Sequence, residues 1–345
     1  MQGLANLGAT CAINSLIQII TREELLRKYI LSDNLKNINE DTLLSNLREI
    51  IDLMYNKNKS LTPNKFIDNL YNHLTIFERG EQIDIGELWI FLFDKIQEEI
   101  NNNTKCYKKL LKIEDNNIVD ISDGIICNKK TDLKKILTGE RIRNKYEYVM
   151  RKFNNNKKSE WNDMCQGFFL NIIKCNECNN SLYNFEPFTS IQLDILDDNS
   201  SITNMLKNFL KEETRCDGWR CEKCNKNSEY TKTIKIWKLP KILFFIVKRF
   251  KDINVKNNNC ISINDKICFK GGSVLENIEI DINYSISSLG LHYGILNGGH
   301  YCALCKSDDK ILLYDDLNIK EIPKDIFENN LKANRDAYMI VYSCS

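Results

Sequence analysis

No apolar run in this chain of 345 residues approaches the ~20 residues needed to span a bilayer. Its charges nearly cancel, with 48 Lys and Arg against 47 Asp and Glu. The first absence predicts no membrane contact, and the second leaves no basic field for nucleic acid. No internal repeat is visible, so nothing points to a repeat architecture. The first recognisable motif starts at Gly3, which leaves no room for a signal peptide. Without one, the fourteen cysteines read as intracellular thiols and metal ligands rather than disulfides. The expected location is therefore the cytoplasm or nucleus, within a host cell if the Asn-, Lys- and Ile-rich composition reflects a viral source. Histidine is scarce: His73, His292 and His300 are the only three.

What is present begins at the start of the chain. Gly3-Leu4-Ala5-Asn6-Leu7-Gly8-Ala9-Thr10-Cys11 is a glycine-punctuated loop leading into an apolar run. Ile13, Leu16, Ile17 and Ile20 keep a helical period. Thr10 is an acceptable N-cap, which places Cys11 in the first helical turn. There the free N–H groups and the helix dipole favour a thiolate, the form that attacks carbonyl carbon. A reactive cysteine needs a base. His300 follows Asn297-Gly298-Gly299 and precedes a strand-like stretch, and Lys310-Ile311-Leu312-Leu313-Tyr314-Asp315-Asp316 reads as a second strand. A hairpin of the two brings Asp315 or Asp316 beside His300, where a carboxylate would hold the ring.

A second constellation has metal-site spacing. Cys175-Asn176-Glu177-Cys178 and Cys221-Glu222-Lys223-Cys224 are paired knuckles that together make a tetrahedral four-cysteine zinc site. Cys216 fits neither knuckle. Between them lie two alternating segments, around 185–195 and 228–237, and a short helical pattern at 202–211. Residues 1–100 are helix-patterned, with amphipathic segments at 43–55 and 63–73 and a stripe of Ile85, Leu88, Trp89, Leu92 and Ile96. Residues 101–160 are rich in Asn and Lys and read as a connection carrying a charged, mobile insertion. From about 166 the period turns to strand, including a continuous apolar run at 242–247 and strands at 284–292 and 338–342. Helices first and strands later predict an α+β fold.

The N-terminal block resembles the cysteine box of the ubiquitin-specific proteases, and Gly299-His300-Tyr301 with Tyr314-Asp315-Asp316 resembles their histidine box. Further matches come in order: Gln82-Ile83-Asp84-Ile85-Gly86-Glu87-Leu88, Gln166-Gly167, Leu239-Pro240 through Lys248-Arg249-Phe250, and Ala337-Tyr338-Met339-Ile340-Val341-Tyr342. The resemblance implies one catalytic domain with a papain-like fold. It would have a helical thumb over 1–160 with the insertion at about 101–160, fingers with a zinc ribbon and the start of the palm over 161–250, and a β-sheet palm with the histidine box over 251–345. It implies a deubiquitinating thiol protease with Cys11 as nucleophile, His300 as general base and acid, Asp315 as the orienting acid with Asp316 as competitor, and Asn6 as oxyanion donor. Asp84 matches an acid that pairs with the arginines of the ubiquitin tail, Arg-Leu-Arg-Gly-Gly. His292 matches a position near that tail, and Tyr301 would wall a glycine-only channel. A structural zinc on Cys175, Cys178, Cys221 and Cys224, no organic cofactor, ubiquitin and its conjugates as partners, and a monomeric state complete the expectation.

This chain departs from the pattern at Ala9, Ala12, Ile83 and Gly86. The last is expected to weaken an exposed helix interior by about 1 kcal/mol relative to alanine. Two rival functions remain: a protease for another Gly-Gly-terminated modifier, and an inactive ubiquitin-binding scaffold.

Overall fold

A computed structural model describes the chain except residues 1, 37, 57–61, 103–107, 110–132, 253–254, 274–277, 296–297, 308 and 345. Much of the expected insertion, with Cys106 and Cys127, and Asn297 before the histidine lie outside the described residues.

The N-terminal hundred residues form helices Cys11–Arg22, Glu24–Ile30, Leu43–Tyr55, Asn64–His73 and Ile85–Asn102. The Leu43 helix shows why a boundary falls where it does. The Thr42 hydroxyl accepts from the Ser45 N–H at 3.1 Å. The buried Glu99 carboxylate takes the next two free donors, Leu43 N–H at 3.1 Å and Leu44 N–H at 2.9 Å. An anion at that end also meets the positive end of the helix dipole. The Cys11 helix departs from the one-faced pattern expected of it: all twelve residues are buried. It packs both on the His300 and Ile278 strands and on neighbouring helices. Among its buried polar residues, Thr21 Oγ1 donates to the Ile17 carbonyl at 2.6 Å and Gln18 Nε2 to the Gln2 carbonyl at 2.9 Å.

The main sheet has eight strands. From one edge the order is Asn318–Glu321, Lys310–Asp315, His300–Ser307, Ile278–Tyr293, Ala337–Cys344, Ile242–Lys248 and Ile191–Asp194, with Lys266–Ser273 also paired to the long Ile278 strand. All neighbours are antiparallel except the parallel pair of the Ile191 and Ile242 strands. The Ile242 strand is buried at six of its seven positions, which explains its unbroken apolar sequence. Trp89 joins helices to sheet, stacking on Phe244 at 4.0 Å and donating its indole N–H to the Thr189 carbonyl at 3.1 Å. Arg249 is fully buried, its guanidinium donating to the carbonyls of Asn257, Asn259, Asn334 and Ala337.

Ser181–Phe188, Gly167–Cys175, Tyr230–Lys238 and Glu213–Arg215, in that order, form a separate four-stranded antiparallel sheet. Here the mobile connection expected over 101–160 needs correction. Leu133–Phe153 is a 21-residue helix, and Ile142, Tyr146, Val149 and Met150 pack against Phe168, Leu170 and Phe185 of this sheet. Its apolar residues are diluted by Lys, Arg and Asn, so its periodicity is faint in the sequence. Among the described residues no helix is long and apolar enough to cross a membrane.

Candidate active site

His300 and Asp315 meet through the hairpin of the His300–Ser307 and Lys310–Asp315 strands. The register pairs Ala303 with Tyr314, so Cys302 stands opposite Asp315. The two-residue side-chain period then puts His300, Cys302 and Asp315 on one face of the sheet. His300 Nε2 lies 2.7 Å from Asp315 Oδ1. Asp316, the competing acid, turns elsewhere. Its φ of +51° is left-handed, a conformation aspartate tolerates better than most residues. Its carboxylate accepts from Asn6 Nδ2 at 2.9 Å and Asn14 Nδ2 at 2.7 Å, and its carbonyl accepts from the Leu4 N–H at 3.0 Å. The close approach of chain segments here requires Gly3, since a Cβ on it would sit 2.6 Å from the Asp316 carbonyl oxygen.

Cys11 is the first residue of its helix, 3% exposed. Thr10 does not cap that helix with its side chain. Instead the Asn6 Oδ1 gathers the loop, accepting from Gly8 N–H at 3.0 Å, Thr10 N–H at 3.3 Å and Thr10 Oγ1 at 3.2 Å. The resting thiol differs from the sequence expectation. Burial pushes it up; the Tyr301 N–H opposes this, the Asp316 charge adds to it, and the N–H groups of Ala12 and Cys11 oppose it; the net shift is upward. Desolvation of a lone anion outweighs three backbone dipoles, so Cys11 rests as a thiol.

Beside this cluster opens a cleft of about 410 Å³ bounded by Gln82, Asp84, Glu87, Ile246, Lys248, Phe250, Tyr301 and Tyr338. Asp84 first serves the fold: its Oδ1 accepts the N–H groups of Gly86 at 2.7 Å and Glu87 at 3.0 Å, and Oδ2 accepts from the Tyr338 hydroxyl. Gly86 is buried in the first turn rather than exposed in a helix interior, and a Cβ on it would press on Asp84 Oδ1 at 3.0 Å and on Ile246 at 3.2 Å. The glycine is thus an accommodation to packing, and the expected penalty against alanine does not apply. Tyr301 is 3% exposed and lines the cleft, packed on His292 with ring centroids 4.5 Å apart. His292 is sealed beneath Gly299, fully buried, and neither ring nitrogen has a hydrogen-bond partner among the described residues. Burial, with Lys256 and His300 nearby, lowers its pKa to about 4.

A family model described as ubiquitin carboxyl-terminal hydrolase matches residues 2–342. The chain belongs to that family. It is 29% identical over 334 residues to Ubiquitin carboxyl-terminal hydrolase 4 of Arabidopsis thaliana, covering 93% of this chain and 85% of that protein. Identity to Ubiquitin carboxyl-terminal hydrolase Usp2 of Drosophila melanogaster is 26% over 350 residues, which is 99% of this chain and 34% of that longer protein. Among solved structures, the chain superposes on one from the SAGA Ubp8/Sgf11/Sus1/Sgf73 DUB module bound to ubiquitin aldehyde. The TM-score is 0.72 at 21% identity, over 100% of this chain and 70% of that one. The helical lobe, the eight-stranded sheet and the four-stranded sheet are accordingly the thumb, palm and fingers of a deubiquitinating cysteine protease fold.

At the tip of the fingers of this hydrolase the two knuckles converge. Cys175 Sγ lies 3.9 Å from Cys224 Sγ, and Cys178 Sγ lies 3.6 Å from Cys221 Sγ. All four sulfurs fall within 4.8 Å of one another. Tetrahedral zinc with four thiolates needs sulfur–sulfur edges of about 3.8 Å, so the set fits the ion. Each knuckle closes alike, with a left-handed Asn179 or Asn225 whose N–H returns to the Cys175 or Cys221 carbonyl at 2.9 and 2.8 Å. Cys216 is exposed and outside the cluster.

Sequence reasoning passed over two residues of the hydrolase site. Asn14, one helical turn after Cys11, shares Asp316 with Asn6. Gln82 clasps the backbone of Gly299 from both sides, taking its N–H at 2.9 Å and donating to its carbonyl. Gln82 lies in a quoted motif and Asn14 just beyond one, but their partners come from more than 200 positions away.

Proposed function

We propose that the chain cleaves the peptide or isopeptide bond after the C-terminal Gly-Gly of ubiquitin. The observation that carries this reading is the 2.7 Å contact of His300 Nε2 with Asp315, His300 lying on the strand that packs against the Cys11 helix. Asp315 fixes the ring with Nε2–H as donor, which leaves Nδ1 as the basic nitrogen. As substrate enters, Nδ1 withdraws the Cys11 proton and the sulfur attacks the glycine carbonyl. The oxyanion forms beside the backbone N–H groups at Cys11 and the second amide proton of Asn6, whose first is spent on Asp316. His300 then protonates the departing lysine amine, and water hydrolyses the thioester by the reverse proton path.

The cleft suits an extended basic tail ending in glycines. Glu87 is exposed along it, and Asp84 retains acceptor capacity after its three hydrogen bonds. Zinc held by Cys175, Cys178, Cys221 and Cys224 would fix the fingertip against which the ubiquitin body rests; its role is structural, with no open position for chemistry. An intracellular location follows from ubiquitin as substrate.

The test is reaction with ubiquitin carrying a C-terminal electrophile. A covalent adduct on Cys11 is expected, absent in Cys11→Ala. No adduct from folded, zinc-loaded protein, with reaction instead of the same probe built on another Gly-Gly modifier, would reject ubiquitin as substrate.

A further inference from the structure

The His300 strand carries a third metal-binding side chain that the hydrolytic mechanism leaves unused. Cys302 is 4% exposed and stands behind the His300–Asp315 pair. A ring nitrogen of His300, the Cys302 sulfur and an Asp315 oxygen all lie within 4.8 Å of one another. The His300 and Asp315 side chains are 40% and 47% exposed, so solvent reaches the cluster.

We propose that His300, Cys302 and Asp315 form a second, inhibitory metal site that takes a thiophilic divalent ion such as Zn²⁺. One imidazole, one thiolate and one carboxylate with a free fourth position is a donor set for zinc, and the thiolate disfavours magnesium or calcium. The three ligands share one sheet face, so a small shift suffices. Tetrahedral zinc at about 2.0–2.1 Å from nitrogen and oxygen would hold these atoms about 3.3 Å apart, against the resting 2.7 Å. The ion replaces the proton of the Cys302 thiol, which leaves to solvent. It also takes the Nε2 lone pair of His300, so the ring proton moves to Nδ1. With Nδ1 protonated, His300 has no lone pair to accept the Cys11 proton, and hydrolysis stops. The site differs from the fingertip cluster in having three ligands rather than four, so it binds reversibly at ion levels that leave the fingertip loaded.

The arrest rests on His300 being the general base; the metal binding does not, and the two are read separately. Binding is measured by adding Co²⁺ to the zinc-loaded Cys11→Ala chain. One further equivalent with thiolate-to-cobalt absorption is expected, and it is lost in Cys11→Ala/Cys302→Val. The same absorption in both proteins would overturn the site. Arrest is measured as Zn²⁺ inhibition of ubiquitin–fluorophore hydrolysis in a metal-buffered titration. Removing one ligand by Cys302→Val or Cys302→Ser should weaken inhibition by about tenfold or more while the uninhibited rate persists. Equal sensitivity of both variants and the parent would overturn it.

Discussion

Asp315 and Asp316 are chain neighbours with different duties, because one left-handed residue turns the second carboxylate away from the histidine. Asp315→Ala should lower kcat by about 10²–10⁴ with little change in KM, since it acts on the orientation and charge of His300. Asp316 acts through Asn6. Asp316→Ala and Asn6→Ala are each expected to cost roughly 10² in kcat, and the double variant no more than the worse single one. Full additivity in steady-state kinetics would show that the two residues act apart. Which acid serves the ring was not legible in the sequence, where both readings stayed open, because the left-handed turn at 316 goes with a backbone contact to Leu4, far away in the sequence. The meeting of His300 with an acid of the next strand was legible from the hairpin pattern. The protonation of Cys11 was not: burial on all sides of its helix is a tertiary fact. Alkylation of the free chain by iodoacetamide at Cys11 should therefore rise with pH to a midpoint above the ordinary thiol value of about 8.5. A midpoint below pH 7 would place a stable thiolate in the resting enzyme.

Elements divide by how strongly their pattern speaks. Helices at 43–55 and 85–102 and the strands at 242–248 and 300–307 carry clean periodicity and stand close to where it put them. The Leu133–Phe153 helix escaped notice because its stability is borrowed from Phe168, Leu170 and Phe185, aromatic and aliphatic partners outside its own sequence. The knuckles were legible for the opposite reason: a metal site writes its geometry into local spacing. Removing the ion should loosen the fingertip alone. After chelation, or in Cys178→Ser, the amides of 175–179 and 221–230 should exchange with deuterium far faster, while those of the Ile242 strand keep their protection. Uniform loss of protection would instead make the metal a condition of the whole fold.

For the molecule as a whole, His292 ties stability to acidity. Its ring is buried and uncharged, with a pKa of about 4 against an ordinary 6.5. Above pH 6.5 neither folded nor unfolded chain protonates it and nothing changes. Between 6.5 and about 4 the unfolded chain takes the proton first, so folding stability falls with pH, by roughly 3 kcal/mol at the lower end. Urea unfolding from pH 7.5 to 4.5 should trace this loss, and His292→Asn should flatten it. An equal slope in that variant would assign the effect to other groups.

The order of strands in the palm has a consequence for biosynthesis. Ala337–Cys344, the latest strand in the sequence, is not at an edge; it lies between Ile278–Tyr293 and Ile242–Lys248 and brings Tyr338 to the cleft and Ala337 to buried Arg249. A chain emerging from the ribosome therefore displays Cys11, His300 and Asp315 before the two halves of its sheet have anything to join them. At about 5–20 residues per second, the stretch from Asp315 to Cys344 takes seconds to appear. Through that interval the two parts of the palm sheet lack the strand that pairs with both, and the cleft lacks Tyr338.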